Sequence, residues 1–132
     1  IVISLVGSEM CIRDSLFREE HSPRTLVDKV DFISAPGFSD ENIYRPGGPK
    51  FLLTNRALFK FNKQKKRFCL LKIHNNESIE NIIKLTGFKF DVDDKITNMS
   101  IPNKTRIDIL RNKISYMVSE FYPEFADKIW GV

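Results

Sequence analysis

Two runs, "KFLLTNRALFKFN" at residues 50–62 and "RFCLLKI" at 67–73, are separated only by "KQKK", and they constrain this chain more than any other feature. Phe59 and Phe61 alternate with Lys60, while Phe68, Leu70 and Lys72 recur at every second position. A period of two belongs to β-strands, and so short a polar link between two such runs is a hairpin. Its two faces are of unequal polarity, so the core must lie on one side of the sheet it builds. The tip carries Lys63, Lys65, Lys66 and Arg67. Such a cluster can grip phosphates or simply be solvated turn charge, and the second is the commoner outcome.

The flanks supply further elements. "LVDKVDFIS" at residues 26–34 has closely spaced apolar and β-branched residues and predicts a buried strand. "APGFSDENIYRPGGP" then brings three prolines and three glycines without apolar periodicity, a long loop of the kind that serves function or an interface. After the hairpin, Ile79, Ile82 and Ile83 fall on one helical face, with Ser78 placed to cap the first turn and Gly87 placed to end the helix left-handed. "FKFDV" at 88–92 returns to a strand pattern. A second helix is expected from about Thr105, with Ile107, Leu110, Ile114, Met117, Val118 and Phe121 as its apolar stripe, core or subunit contact. Strands alternating with helices give an α/β class.

A chain of 132 residues buries one modest core. No apolar run approaches the roughly 18 residues a bilayer span requires, so no membrane partner is expected. The net charge of +4 tolerates anionic partners without demanding nucleic acid. Cys11 and Cys69, neither in a CxxC pair, suit a reducing compartment such as the cytoplasm; with only His21 and His74 besides, no zinc cluster forms. The opening "IVISLVGSEMCIRDS" has neither the basic start nor the long apolar middle of a secretory signal. Its "LVGSEMCIRDS" resembles the translated end of a sequencing-library adapter. Residues 1–15 are therefore read as non-native, residues 16–115 as the main domain and 116–132 as a helical extension.

The motifs exclude more chemistry than they assign. A phosphate-binding loop needs GxxxxGK[ST], whereas Gly47 and Gly48 are adjacent and Pro49 removes an N–H donor. These glycines read better as a sharp turn or a close approach by another backbone. Ser34 in "FISAPG" lacks the flanking glycines of a nucleophile elbow. Cys69 lies mid-strand, where an inert thiol is the default. Asp40 with Glu41, and Asp91 with Asp93 and Asp94, read as solvated turns.

Taken together, "HSPRTLVDKVDFISAPGF", "RPGGPKFLLTNRALFKFN", "LLKIHNNESIENIIKLTGFKFDV" and "ITNMSIPNKTRIDILRNKI" resemble the C-terminal part of the β subunit of family I CoA-transferases, of the glutaconate and 3-oxoacid types. The match runs over residues 21–115 and rests on order and spacing more than on any one motif. It implies a partial open α/β sheet with flanking helices, and an α subunit as partner. It also implies acyl-CoA and carboxylic acid substrates, with coenzyme A as co-substrate and no bound cofactor. Such enzymes pass CoA through a glutamyl-CoA thioester, a covalent route that divides one difficult exchange into easier steps. None of Glu19, Glu20, Glu41, Glu77 or Glu80 stands in the family's catalytic context, so this chain is expected to be a fragment whose catalytic glutamate lies upstream. The resemblance places Ser34, Pro36, Gly37, Gly47 and Gly48 around a loop beside the coenzyme A site or the boundary between subunits, shaping it without doing chemistry; plain structural turning stays open. Relatives in steroid-ring degradation lack the glutamate and hydrolyse a ring instead, so the reaction stays open too. The loop between Gly37 and Gly47 is shorter than usual, the glycine run is two rather than three, and "SYMVSEFYPEFADKIWGV" has no counterpart. The alternatives are a small basic nucleic-acid-binding module working through the hairpin tip and an interaction domain working through the C-terminal helix.

Overall fold

The computed structural model describes residues 13–33, 37, 42–44 and 47–132. It divides into two compact units, residues 1–99 and 100–132. The boundary expected between 115 and 116 therefore falls inside the second.

The first unit is an open five-stranded mixed sheet with the strands in chain order. The strands are β1 (Arg13–Arg18), β2 (Gly48–Thr54), β3 (Ala57–Asn62), β4 (Arg67–Ile73) and β5 (Asp91–Asn98), with helix α1 (Ile79–Leu85) between the last two. β1 pairs parallel with β2, β2–β3–β4 form an antiparallel meander, and β4 pairs parallel with β5 across α1. β1, β2, β4 and β5 thus all run the same way. Arg13, Asp14 and Ser15 pair with Gly48, Pro49 and Phe51, so β1 reaches back into the segment whose sequence reads as non-native. A strand pairs through its backbone, which is indifferent to where its side chains came from.

The core lies on one face of this sheet, where Leu16, Leu52, Phe59, Leu70 and Ile82 are buried with Leu26. Phe59 is its centre, with ring centroids 5.2 Å from Phe90, 6.1 Å from Phe88 and 6.4 Å from Phe68. The expected hairpin is β3–β4, its tip closed by Lys66 at φ 49° and by the Asn62 side chain accepting from the Lys65 N–H (3.0 Å). Residues 50–62, which read as one strand, are two, because the chain turns at Asn55 and Arg56. The period of two in β4 also breaks. Leu58 pairs with Lys72 and Phe59 with Leu70, which leaves Leu71 as a bulge. One extra residue flips every side chain beyond it, so Ile73 joins Phe68 and Leu70 in the core in place of Lys72.

Three other expectations are corrected. The expected strand at 26–34 is absent over residues 26–33: the Leu26 N–H donates to the Ser22 carbonyl and its own carbonyl accepts from Gly87, so this backbone is satisfied by a turn and a tertiary contact instead of a ladder. Gly87 is not left-handed. It is glycine because a Cβ there would stand 2.3 Å from the Leu26 carbonyl oxygen, to which its N–H donates at 2.6 Å. β5 runs from Asp91 to Asn98, so Phe88 and Phe90 precede the strand as core rings. Within α1 the Ser78 cap forms as expected, accepting from the Asn81 N–H, while Ile82 is buried and Ile83 faces out.

The second unit is helical: α2 (Lys104–Ile109), a π-helical segment α3 (Leu110–Ile114), α4 (Ser115–Ser119) and α5 (Pro123–Trp130). The first three form one continuous rod, capped by the Asn103 side chain accepting from the Arg106 N–H. α5 packs against α4, and Trp130 meets Phe125 edge-on at 5.7 Å.

Candidate functional site

Ser34 and Pro36 lie outside the described residues. Gly37, Gly47 and Gly48 come together at the amino end of β2. Gly48 holds φ at +122°, where side chains are strained, and a Cβ on it would approach the Gly37 carbonyl oxygen to 2.9 Å. A Cβ on Gly37 would touch the Pro49 ring at 3.6 Å. The ammonium of Lys63, on the hairpin tip, donates to the Gly47 carbonyl at 3.2 Å. The two ends of the long loop are thus pinned against each other, by close backbone approach and by the neighbouring hairpin.

The shared strand direction brings Arg67 and Asp91, the first residues of β4 and β5, to this same end. Asp91 accepts from Lys65 (3.1 Å) and Arg67 (3.2 Å), and those hydrogen bonds hold its carboxyl below the ordinary range. Asp91 is therefore a strand residue answering the tip's charge, where the sequence suggested a solvated turn. Asp93 accepts from the Lys95 N–H (2.8 Å) within β5. A cleft of about 420 Å³ lies beside the tip, lined by Lys60, Asn62, Lys63, Cys69, Leu71 and Asp93 among others. Burial first, then the carboxylates of Asp93 and Asp91, pushes the Cys69 thiol up, away from the thiolate a nucleophile needs. Among the described residues no three His, Cys, Asp or Glu side chains converge as metal ligands, and no helix is long and apolar enough to cross a membrane.

Beyond the carboxyl end of β1 lies a polar group that sequence reasoning missed. His21, only 4% exposed, bridges Thr54 through Nδ1 (2.8 Å) and Thr86 through Nε2 (2.9 Å). The Thr86 hydroxyl donates to the Ile82 carbonyl (2.7 Å), so it accepts from Nε2–H. Thr54 Oγ1 accepts from the Ala57 and Arg56 N–H groups (2.9 and 3.2 Å) and donates to the Ala57 carbonyl (3.2 Å), besides its contact with Nδ1. Both ring nitrogens are engaged, and burial, then the nearby Arg56, lowers the imidazole's pKa. Arg56 in turn pairs with Glu77, which also accepts from Asn81 Nδ2 (2.7 Å). Glu20 is held by Arg24 and Ser22. Glu77 is thus a half-buried anchor, whereas Glu20 makes a surface pair. The glycine corner sits at the opposite end of the strands from His21.

No family model matches the chain. A curated relative does: the B-type subunit of glutaconate CoA-transferase from Acidaminococcus fermentans is 28% identical over 108 residues. The chain resembles the B-type half of a family I CoA-transferase. The aligned part is 76% of this chain and 40% of that relative, so the chain spans about two-fifths of the protein it matches. Among solved structures, glutaconate coenzyme A-transferase from the same organism superposes with a TM-score of 0.66 at 23% identity, covering 76% of this chain and 41% of that one. The decarboxylase AibA/AibB superposes at 0.61 with 24% identity over 75% of this chain and 37% of its own. IpdAB of Rhodococcus jostii RHA1 gives 0.64 with 22% identity over 74% and 41%. At these identities the superpositions establish the fold: the open mixed sheet of the CoA-transferase type.

Proposed function

We propose that this chain is the C-terminal part of a B-type subunit of a two-subunit, cytoplasmic CoA-transferase. That enzyme moves CoA from an acyl-CoA to a free carboxylate through a glutamyl-CoA thioester. The observation that carries the reading is the sequence likeness to the B-type subunit of glutaconate CoA-transferase, sustained over 108 residues. The fold alone would not carry it, since a decarboxylase shares the architecture and one fold hosts many reactions.

In this reading the catalytic carboxylate attacks the thioester carbonyl and expels the thiolate of CoA, leaving a mixed anhydride. The thiolate then attacks the glutamyl carbonyl, releases the donor acid and forms the glutamyl-CoA thioester, which the acceptor carboxylate opens by the reverse of these steps. Glu20 and Glu77 each take part in an ion pair within this chain, and the reading places the catalytic glutamate upstream of it. The chain's own contribution is a wall: the loop between Gly37 and Gly47, whose two ends meet in the Gly37–Gly48 approach beside Lys63, borders the coenzyme A site or the boundary with an A-type subunit. The test is to produce the complete B-type polypeptide with its A-type subunit and incubate the complex with a panel of short acyl-CoAs and acetate. Formation of acetyl-CoA with release of the donor acid supports the reading. Carbon dioxide release without acetyl-CoA, or no exchange by an assembled complex, overturns it.

A further inference from the structure

The helical unit leaves half of itself uncovered. Its rod of residues 104–119 is about 24 Å long at 1.5 Å per residue, whereas α5, with eight residues, spans about 12 Å. α5 packs along the α4 part of the rod. The rod's half-buried residues are Ile107, Ile114, Val118 and Ser119, with Ser115 buried among them. Ile109, Leu110, Met117 and Phe121 are exposed, Phe121 to 77%, as are Phe125 and Ile129 on α5. So many large apolar side chains on so small a unit mark an interaction surface.

Charge identifies the occupant. The uncovered half of the rod carries Lys104, Arg106, Arg111 and Lys113 against Asp108 alone, all exposed. The other end carries Glu120, Glu124 and Asp127 against Lys128, again all exposed. A basic, apolar half-rod about one short helix long is matched by a short helix that is acidic and apolar, and the chain supplies that helix itself. Because the two features sit at opposite ends of one unit, an antiparallel two-fold pairing satisfies both at once, each copy giving what the other lacks. We propose that residues 100–132 are a self-association module, in which α5 of one chain covers the α2 and α3 segment of a second copy of this chain.

Sedimentation equilibrium of the full chain tests this. The wild type should pass from 15.4 kDa towards twice that mass as concentration rises. Ile109→Lys and Phe125→Glu, both at exposed positions, should each weaken the dimer at least about tenfold with helical circular dichroism unchanged. Reversing the basic half (Arg106→Glu with Arg111→Glu) or the acidic half (Glu124→Lys with Asp127→Lys) should weaken it too, and a chain carrying all four should regain it. A monomer at every concentration overturns the proposal, as does a dimer indifferent to these changes. So does a chain that stays monomeric alone and uses Ile109 and Phe125 to hold an A-type subunit.

Discussion

Gly87→Ala isolates the contact on which the packing of residues 21–26 depends. The new methyl would lie 2.3 Å from the Leu26 carbonyl oxygen and 3.2 Å from the Val27 Cα, both rigid backbone atoms, so the two segments must separate. Separation breaks the hydrogen bond from Gly87 to Leu26, worth about 1 kcal/mol net. It also lifts Leu26, now 1% exposed, out of the core; partial loss of a burial worth about 1.5–3 kcal/mol brings the total to about 2–4 kcal/mol. Hydrogen exchange of the β3 and β4 amides reads this unit by itself. It should accelerate roughly thirty-fold to several-hundred-fold, since each 1.4 kcal/mol is about tenfold. Gly131→Ala is the control: φ is +71° with open space around the Cβ, so only the left-handed cost of about 1 kcal/mol applies, felt in the helical unit. If Gly87→Ala leaves sheet exchange within about twofold of wild type, the close-approach argument is refuted.

Three further outcomes follow from the same geometry. His21 should titrate below its ordinary 6.5; because the unfolded chain binds the proton first, stability is full above about 6.5 and falls as the pH drops from there towards the lowered folded value, as urea midpoints against pH would show. The Asp91 carboxyl should titrate below 3.8 by NMR, and Lys65→Met with Arg67→Met should move it back up. Gly48→Ala combines a positive φ with a 2.9 Å approach to the Gly37 carbonyl, so exchange of the β1–β2 amides should quicken about tenfold or more, while β4–β5 amides stay put.

The sequence showed the hairpin because Phe59 with Phe61, and Phe68 with Leu70, are spaced by two on either side of a short basic link. It showed the first helix because Ser78 is a local signal, read within one turn. What it hid is tertiary. Nothing local marks Leu71 as a bulge; only the burial of Ile73 in place of Lys72 reveals the shift of register. Gly87 occupies the position of a helix-ending glycine, yet its cause lies 61 residues away at Leu26. Residues 26–33 have a strand's composition, but Gly87 claims the Leu26 carbonyl that a ladder would use. Gly48 was legible as a turn or close approach and is both at once, although its partner Gly37 was not. His21 gave no signal, since Thr54 and Thr86 stand 33 and 65 residues from it.

The most direct test of the central claim is the DNA sequence flanking this gene segment. The account predicts an open frame continuing upstream of residue 16 into the rest of a B-type subunit, with a glutamate-bearing strand and loop and an A-type gene beside it. A start codon immediately before Leu16, with no such coding sequence upstream, would contradict it.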